Sequence, residues 1–185
     1  MPATPTTPGR PATRKPRSRT LAVLLIACAV LGTSCAYSTS TALLPSHLRT
    51  VAIPVFENAT TEYSLEQEVT ETVIRRFVED NHLRVVDERS ADCVLRGRIV
   101  SYRNSVFGIS NVALAQEYRV AIGVDVTFKD QVKNREIWHD PALEKTANYY
   151  VQNVPGQVAK TELDGRKEAI QKLADEILSR SVESW

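Results

Sequence analysis

Cysteine is scarce in this chain: of 185 residues only Cys28, Cys35 and Cys93 are cysteines. So few thiols cannot staple a fold, and a disulfide framework is excluded. Long apolar runs are lacking too. The one apolar stretch, residues 21–31, has eleven residues, whereas a helix needs about 20 to cross a bilayer core, which excludes a polytopic membrane protein. Catalytic signatures are missing: there is no Gly-x-Ser-x-Gly elbow, no Gly-x-Gly-x-x-Gly, no P-loop and no His-Glu-x-x-His. The three histidines, His47, His82 and His139, fall in a tether, at a helix end and in a strand, and none has a second His or Cys at metal-ligand spacing. Trp138-His139-Asp140 does not form an acid–base pair, because adjacent strand residues point to opposite faces. No enzyme chemistry, metal or cofactor is expected. Acid is absent from residues 1–34, which carry Arg10, Arg14, Lys15, Arg17 and Arg19. The rest of the chain holds 18 basic and 22 acidic residues, a net charge of −4, which is the wrong sign for nucleic-acid binding.

What is present begins with that basic leader. Residues 1–20 are rich in Pro, Thr and Arg, the apolar run follows, and Gly32, Thr33 and Ser34 lead to Cys35. A basic region, a short apolar core and small residues make a secretory signal peptide. With a cysteine at its end the segment resembles a bacterial lipoprotein signal, in which the thiol is acylated and becomes the mature N-terminus. Cys28, preceded by Leu25-Ile-Ala, is the alternative, with a shorter apolar core of seven residues. Each buried lipid CH₂ contributes about 0.8 kcal/mol, so a multiply acylated terminus holds a domain on a membrane. The expected division is a signal peptide over 1–34, an acylated N-terminus and tether over 35–48, and a single domain over 49–185.

Residues 50–56 have strand composition, and Pro54 argues for an edge position or for the strand's end. Leu65, Val69, Val73 and Phe77 recur every fourth residue, widened by Ile74 and Val78, which predicts an amphipathic helix over 64–80. Ser64 and Gln67 have capping-box spacing. A short strand over 83–86 leads to a stronger one over 91–102, where Cys93, Leu95, Gly97 and Ile99 point one way while Arg96 and Arg98 point the other. Cys93 reads as a core thiol. Residues 103–116 read as a hairpin connection, and 117–129 alternate most cleanly, from Tyr118 to Phe128. After a turn at 130–134 the returning strand is interrupted at Pro141 and broken at Pro155-Gly156. Ile170, Leu173, Ala174, Ile177, Leu178 and Val182 mark a helix over 161–184, and Gly165, costing about 1 kcal/mol inside a helix, favours a start after it. The order β-α-β-β-β-β-α predicts an α+β two-layer sandwich, two helices packed on one face of a mostly antiparallel four- to five-stranded sheet. The other face is left partly bare. Arg96, Arg98, Arg119 and Lys129 alternate toward it, either as a solvated surface or as a basic patch for an anionic lipid head group or phosphate. Arg96, Arg98 and Arg119 are the candidate lipid contacts.

Several ordered segments carry a resemblance: Cys35-Ala-Tyr-Ser38 with Leu44-Pro45, Val51-Ala-Ile-Pro-Val-Phe-Glu-Asn58-Ala-Thr60, and Leu65 and Thr70. They continue with Ala91-Asp92…Leu95-Arg-Gly97-Arg-Ile99, Glu117-Tyr-Arg-Val120, the Asp130 turn and Ile137-Trp138. Together they resemble the lipopolysaccharide-assembly lipoprotein family (LptE-like). The resemblance implies a non-enzymatic lipoprotein on the periplasmic side of the outer membrane, seated as a plug in a large β-barrel partner (LptD-like) and helping to deliver lipopolysaccharide. Ala36 after the anchor cysteine, in place of Asp, favours the outer membrane by analogy with lipoprotein sorting. No family motif fixes lipopolysaccharide contacts here. The alternative resemblance is to lipoprotein subunits of secretion or transport systems like the curli-secretion channel, which share the β-α-β-β order and oligomerise into pores or serve transporters.

Overall fold

Pro54 divides the first strand in two. In the computed structural model, which describes residues 45–109, 116–151 and 158–182, β1 (Thr50–Ala52) stops short of the proline and β2 (Glu57–Asn58) starts beyond it. Both run parallel to one neighbour, β4 (Cys93–Ile109), with Val51 opposite Cys93 and Glu57 opposite Arg98. Proline has no N–H for the ladder, and past it the Phe56 N–H donates to Thr70 Oγ1 at 3.0 Å instead. Pro54 thus marks a strand's end and not a sheet edge: β1 lies inside the sheet, between β4 and β3 (Arg84–Val85).

The remaining elements are α1 (Leu65–Asp80), β5 (Gln116–Asp130), β6 (Arg135–Tyr150) and α2 (Glu162–Val182). The strand order is β3-β1-β4-β5-β6 with β2 beside β4. The β4, β5 and β6 strands are antiparallel while the short β1, β2 and β3 pair in parallel. The two-layer α+β arrangement is as expected, with six strands because the first is split. Both helices pack on one face, α1 toward β3 and α2 against β5 and β6, and against each other. Between the layers lie Phe56, Leu65, Val69, Val73, Phe77, Leu95, Ile99, Ile122, Val124, Phe128, Ile170, Leu173 and Ile177, all buried. Each such side chain contributes about 1.5–3 kcal/mol.

Several local expectations are corrected. Ser64 adopts φ 61° and makes no side-chain cap bond, so the capping box does not form. The loop is held by Asn58, whose Nδ2 donates to the Glu62 carbonyl (2.7 Å) and to Glu66 Oε2 (2.8 Å). Val78 is 59% exposed and does not widen the α1 stripe. Gly165 sits inside α2, buried, because a Cβ there would lie 2.8 Å from the Tyr149 ring. Packing outweighs the helix cost of glycine. Pro141 does not end β6; a bulge absorbs it, the register passing from Val126 opposite Asp140 to Val124 opposite Leu143. Leu48, in the segment read as tether, is buried in the core, and His47 beside it bonds Asp130. The connection within 103–116 is mostly strand, up to Ile109 and from Gln116; residues 110–115 and the Pro155-Gly156 break lie outside the described residues.

Two more bulges shape β4. The register passes from Ile99 opposite Val124 to Ser101 opposite Gly123, and shifts again between Val106 and Gly108. Beyond the first bulge the alternation inverts, so Tyr102 faces α2, donating its hydroxyl to Glu162 at 2.7 Å, while Arg103 faces away. The last residues of β4 outrun the helices: Val106 and Phe107, on opposite faces, are each about half exposed.

Candidate functional site

The face of the sheet opposite the helices is built from β4, β5 and β6, and its residues follow from the pleat. Arg96 and Arg98 of β4 lie opposite Thr127 and Asp125 of β5, Lys129 lies opposite Val94, and Arg119 lies opposite Ser105. All four therefore share one surface, but they do not form one patch. Arg96, Arg98 and Lys129 cluster at the end where β1 begins. Arg119 is six residues further along β5 from Asp125, roughly 20 Å away.

Nor are the arginines bare. Arg96 pairs with Glu88 of the 3-10 turn Glu88–Ser90, which packs on β1. Arg98 lies 3.9 Å from Glu57. Arg119 donates from Nε to Asn148 Oδ1 at 2.8 Å and places its guanidinium 3.2 Å from the centre of the Phe107 ring, a cation–π contact. Arg103, which alternation from Arg98 would turn toward the helices, joins this face through the bulge and pairs with Glu144 at 2.5 Å. Only the unequal register would have revealed it. A cleft of about 160 Å³ opens between Glu88, Val94, Arg96, Lys129, Gln131 and Asn134, so the carboxylate that pairs with Arg96 also lines it, and Lys129 makes no ion pair among the described residues.

Two aspartates fasten the end where β1 begins. Asp92 accepts the N–H groups of Arg49 and Thr50, each at 2.9 Å, and the Thr50 hydroxyl at 2.8 Å. The Arg49 N–H above all, joined by the Thr50 donors, holds its carboxyl below the usual range despite partial burial. Asp130 is fully buried. Burial pushes its carboxyl up, but the His47 ring at 2.8 Å and the Lys133 N–H outweigh that and hold it low. Between them Cys93 is buried, donating to the Thr50 carbonyl at 3.2 Å. Burial first, then the charges of Asp92 and Asp130, push its thiol up to about 12. Such a thiol stays protonated and unreactive, as a core residue should.

Each histidine takes a single aspartate: His47 with Asp130, His82 with Asp80 and His139 with Asp125. Asp140, next to His139, turns the other way and meets Arg180 of α2 at 2.6 Å. Among the described residues no group of three His, Cys, Asp or Glu is placed to hold a metal ion, and no helix is long and apolar enough to cross a membrane. Cys35 and its alternative Cys28 lie outside the described residues.

A family model described as LptE, lipopolysaccharide-assembly, matches residues 48–181. The chain belongs to the LptE family. The matched segment opens on Leu48 and closes on Ser181, both buried, so it coincides with the packed domain. Among solved structures, the hypothetical protein CT253 from Chlamydia trachomatis aligns with a TM-score of 0.53, at 15% identity over 72% of this chain and 95% of that one. Protein XCC0632 from Xanthomonas campestris aligns with a TM-score of 0.53, at 9% identity over 76% of this chain and 89% of that one. Identities this low show that the LptE domain here shares their fold, and nothing more. A search of curated proteins finds no match.

Proposed function

We propose that this LptE-family chain is an outer-membrane lipoprotein, anchored on the periplasmic side through acyl chains on Cys35, that seats in an outer-membrane β-barrel and helps carry lipopolysaccharide to the cell surface. The observation that carries this reading is the family match across the whole packed domain. The geometry is compatible with it. One layer of the sandwich is covered by helices and the other is an open, charged sheet face, and β4 and β5 extend past the helices with Val106 and Phe107 exposed. A partner's wall would bury those side chains further, adding to the Arg119 contact that Phe107 already makes. The role is structural and needs no turnover. Arg96, Arg98 and Arg119 are candidate contacts for lipopolysaccharide phosphates, guanidinium forks being suited to that geometry. The test is affinity purification of the tagged protein from detergent-solubilised membranes. Recovery of a one-to-one complex with a β-barrel protein is expected. Recovery of a ring of identical chains instead would favour a secretion-channel role.

A further inference from the structure

The cations of this domain are sorted by position. On the helices and the distal half of the sheet most sit against carboxylates: Arg76 with Asp175 at 2.8 Å, Arg103 with Glu144 at 2.5 Å, Lys145 with Glu176 at 2.7 Å and Arg166 with Glu68 at 2.5 Å. At the opposite end Arg96 pairs with Glu88 and Arg135 lies 3.9 Å from Asp130, but the side chains of Arg49, Arg84, Arg89, Lys129 and Lys133 make no ion pair among the described residues. The register gathers them: Thr50 lies opposite Arg84, Val51 opposite Cys93, and Cys93 opposite Asp130. Two acids at this end are turned inward. Asp130 is fully buried, and Asp92 is consumed by backbone donors. Although residues 35–185 are net acidic, these five side chains outnumber the exposed acids without an ion pair at this end, Asp87 and Glu136, among the described residues, so it shows solvent an excess of positive charge.

This is also the end from which the chain leads back to Cys35. Pro45 lies ten positions beyond Cys35, a span of at most about 36 Å fully extended. We infer that this end docks on an anionic phospholipid surface, with head-group phosphates taken by Arg49, Arg84, Arg89, Lys129 and Lys133. The inference rests on the reading that Cys35 is acylated, because the short tether is what keeps this end within reach of a bilayer. Each basic side chain near such a surface favours the docked state by about fivefold, and salt screens the attraction.

The experiment uses the acylated protein purified from membranes and mixed with vesicles of phosphatidylcholine alone or with phosphatidylglycerol. Flotation reports the anchor; amide hydrogen exchange over residues 87–92 and 130–135 reports docking. Exchange should slow about tenfold on the phosphatidylglycerol vesicles only, and recover in high salt. Arg89→Glu/Lys129→Glu/Lys133→Glu should abolish the slowing while the protein still floats, and Arg49→Glu/Arg84→Glu, which changes different side chains, should do the same. Equal exchange on the two vesicle types, in protein that floats with both, overturns the docking and leaves the anchor standing. Slowing on anionic vesicles by protein that does not float with neutral ones keeps the docking and overturns the Cys35 reading. Flotation with neither overturns both.

Discussion

The ring of Phe56 occupies the space that a side chain at position 97 would need. Gly97 is the fifth of the 17 residues of β4, on its core face, and Phe56, 2% exposed, packs directly beneath it. Gly97→Ala should therefore destabilise the domain by about 3 kcal/mol, since the ring is enclosed and cannot yield. Urea unfolding followed by circular dichroism measures this, and a change below about 1 kcal/mol would show that Phe56 has another place to go.

Gly165→Ala sets two effects against each other. In an open helix alanine would add up to about 1 kcal/mol of stability. Here its Cβ would press at 2.8 Å on Tyr149, which is stacked on Tyr118 with ring centres 5.4 Å apart. The clash should win, for a net loss of about 1–2 kcal/mol. A stabilised variant in the same urea measurement would mean that the tyrosine pair shifts freely.

Acid should loosen the end of the domain that Asp92 fastens. Its carboxyl is held below the ordinary value of 3.8 in the fold, so its contribution is fully present above that value and is lost as pH falls through the lower folded one. Asp92→Asn should lower stability at neutral pH by about 1–3 kcal/mol. The difference from the natural chain should then shrink on acidification, as pH falls through the lowered folded value. A difference that stays constant with pH would show that the hydrogen bonds matter and the charge does not.

Cys35→Ala should release the protein from membranes. Metabolic labelling with palmitate should mark the natural chain and leave the variant unlabelled. Label that persists in Cys35→Ala and disappears in Cys28→Ala would move the anchor to the alternative cysteine.

Reversing Arg96 and Arg98 together to Glu should weaken binding of purified lipopolysaccharide roughly tenfold, the size of one lost charge-assisted contact. Both side chains are more than half exposed, so unfolding should shift by less than about 1 kcal/mol. Unchanged binding by a correctly folded variant would leave the pair as solvated charges.

The regular elements were legible because their periods are long. Tyr118 to Phe128 alternates over more than ten residues, and Leu65 to Phe77 repeats every fourth, so face and type followed directly. The parallel half of the sheet was not, since β1, β2 and β3 have three, two and two residues and carry no period of their own. Bulges hid the rest. Nothing in Ile99-Val100-Ser101 announces an extra residue, yet it moves Tyr102 to the helices and Arg103 to the open face. At the candidate site the alternation correctly placed Arg96, Arg98, Arg119 and Lys129 on one surface. Their separation into two groups and their pairing with Glu88 and Glu57 depend on register and on the 3-10 turn, which a single sequence does not encode locally.

The overhang of β4 and β5 makes the domain taper. Where helices cover the sheet it is two layers thick; past Val106, from Phe107 to Ile109, roughly 10 Å of strand, it thins to a single blade. In the barrel complex proposed above, such a blade would enter an aperture too narrow for the two-layer part of the domain, and the shoulder formed where α2 begins would limit how deep it goes.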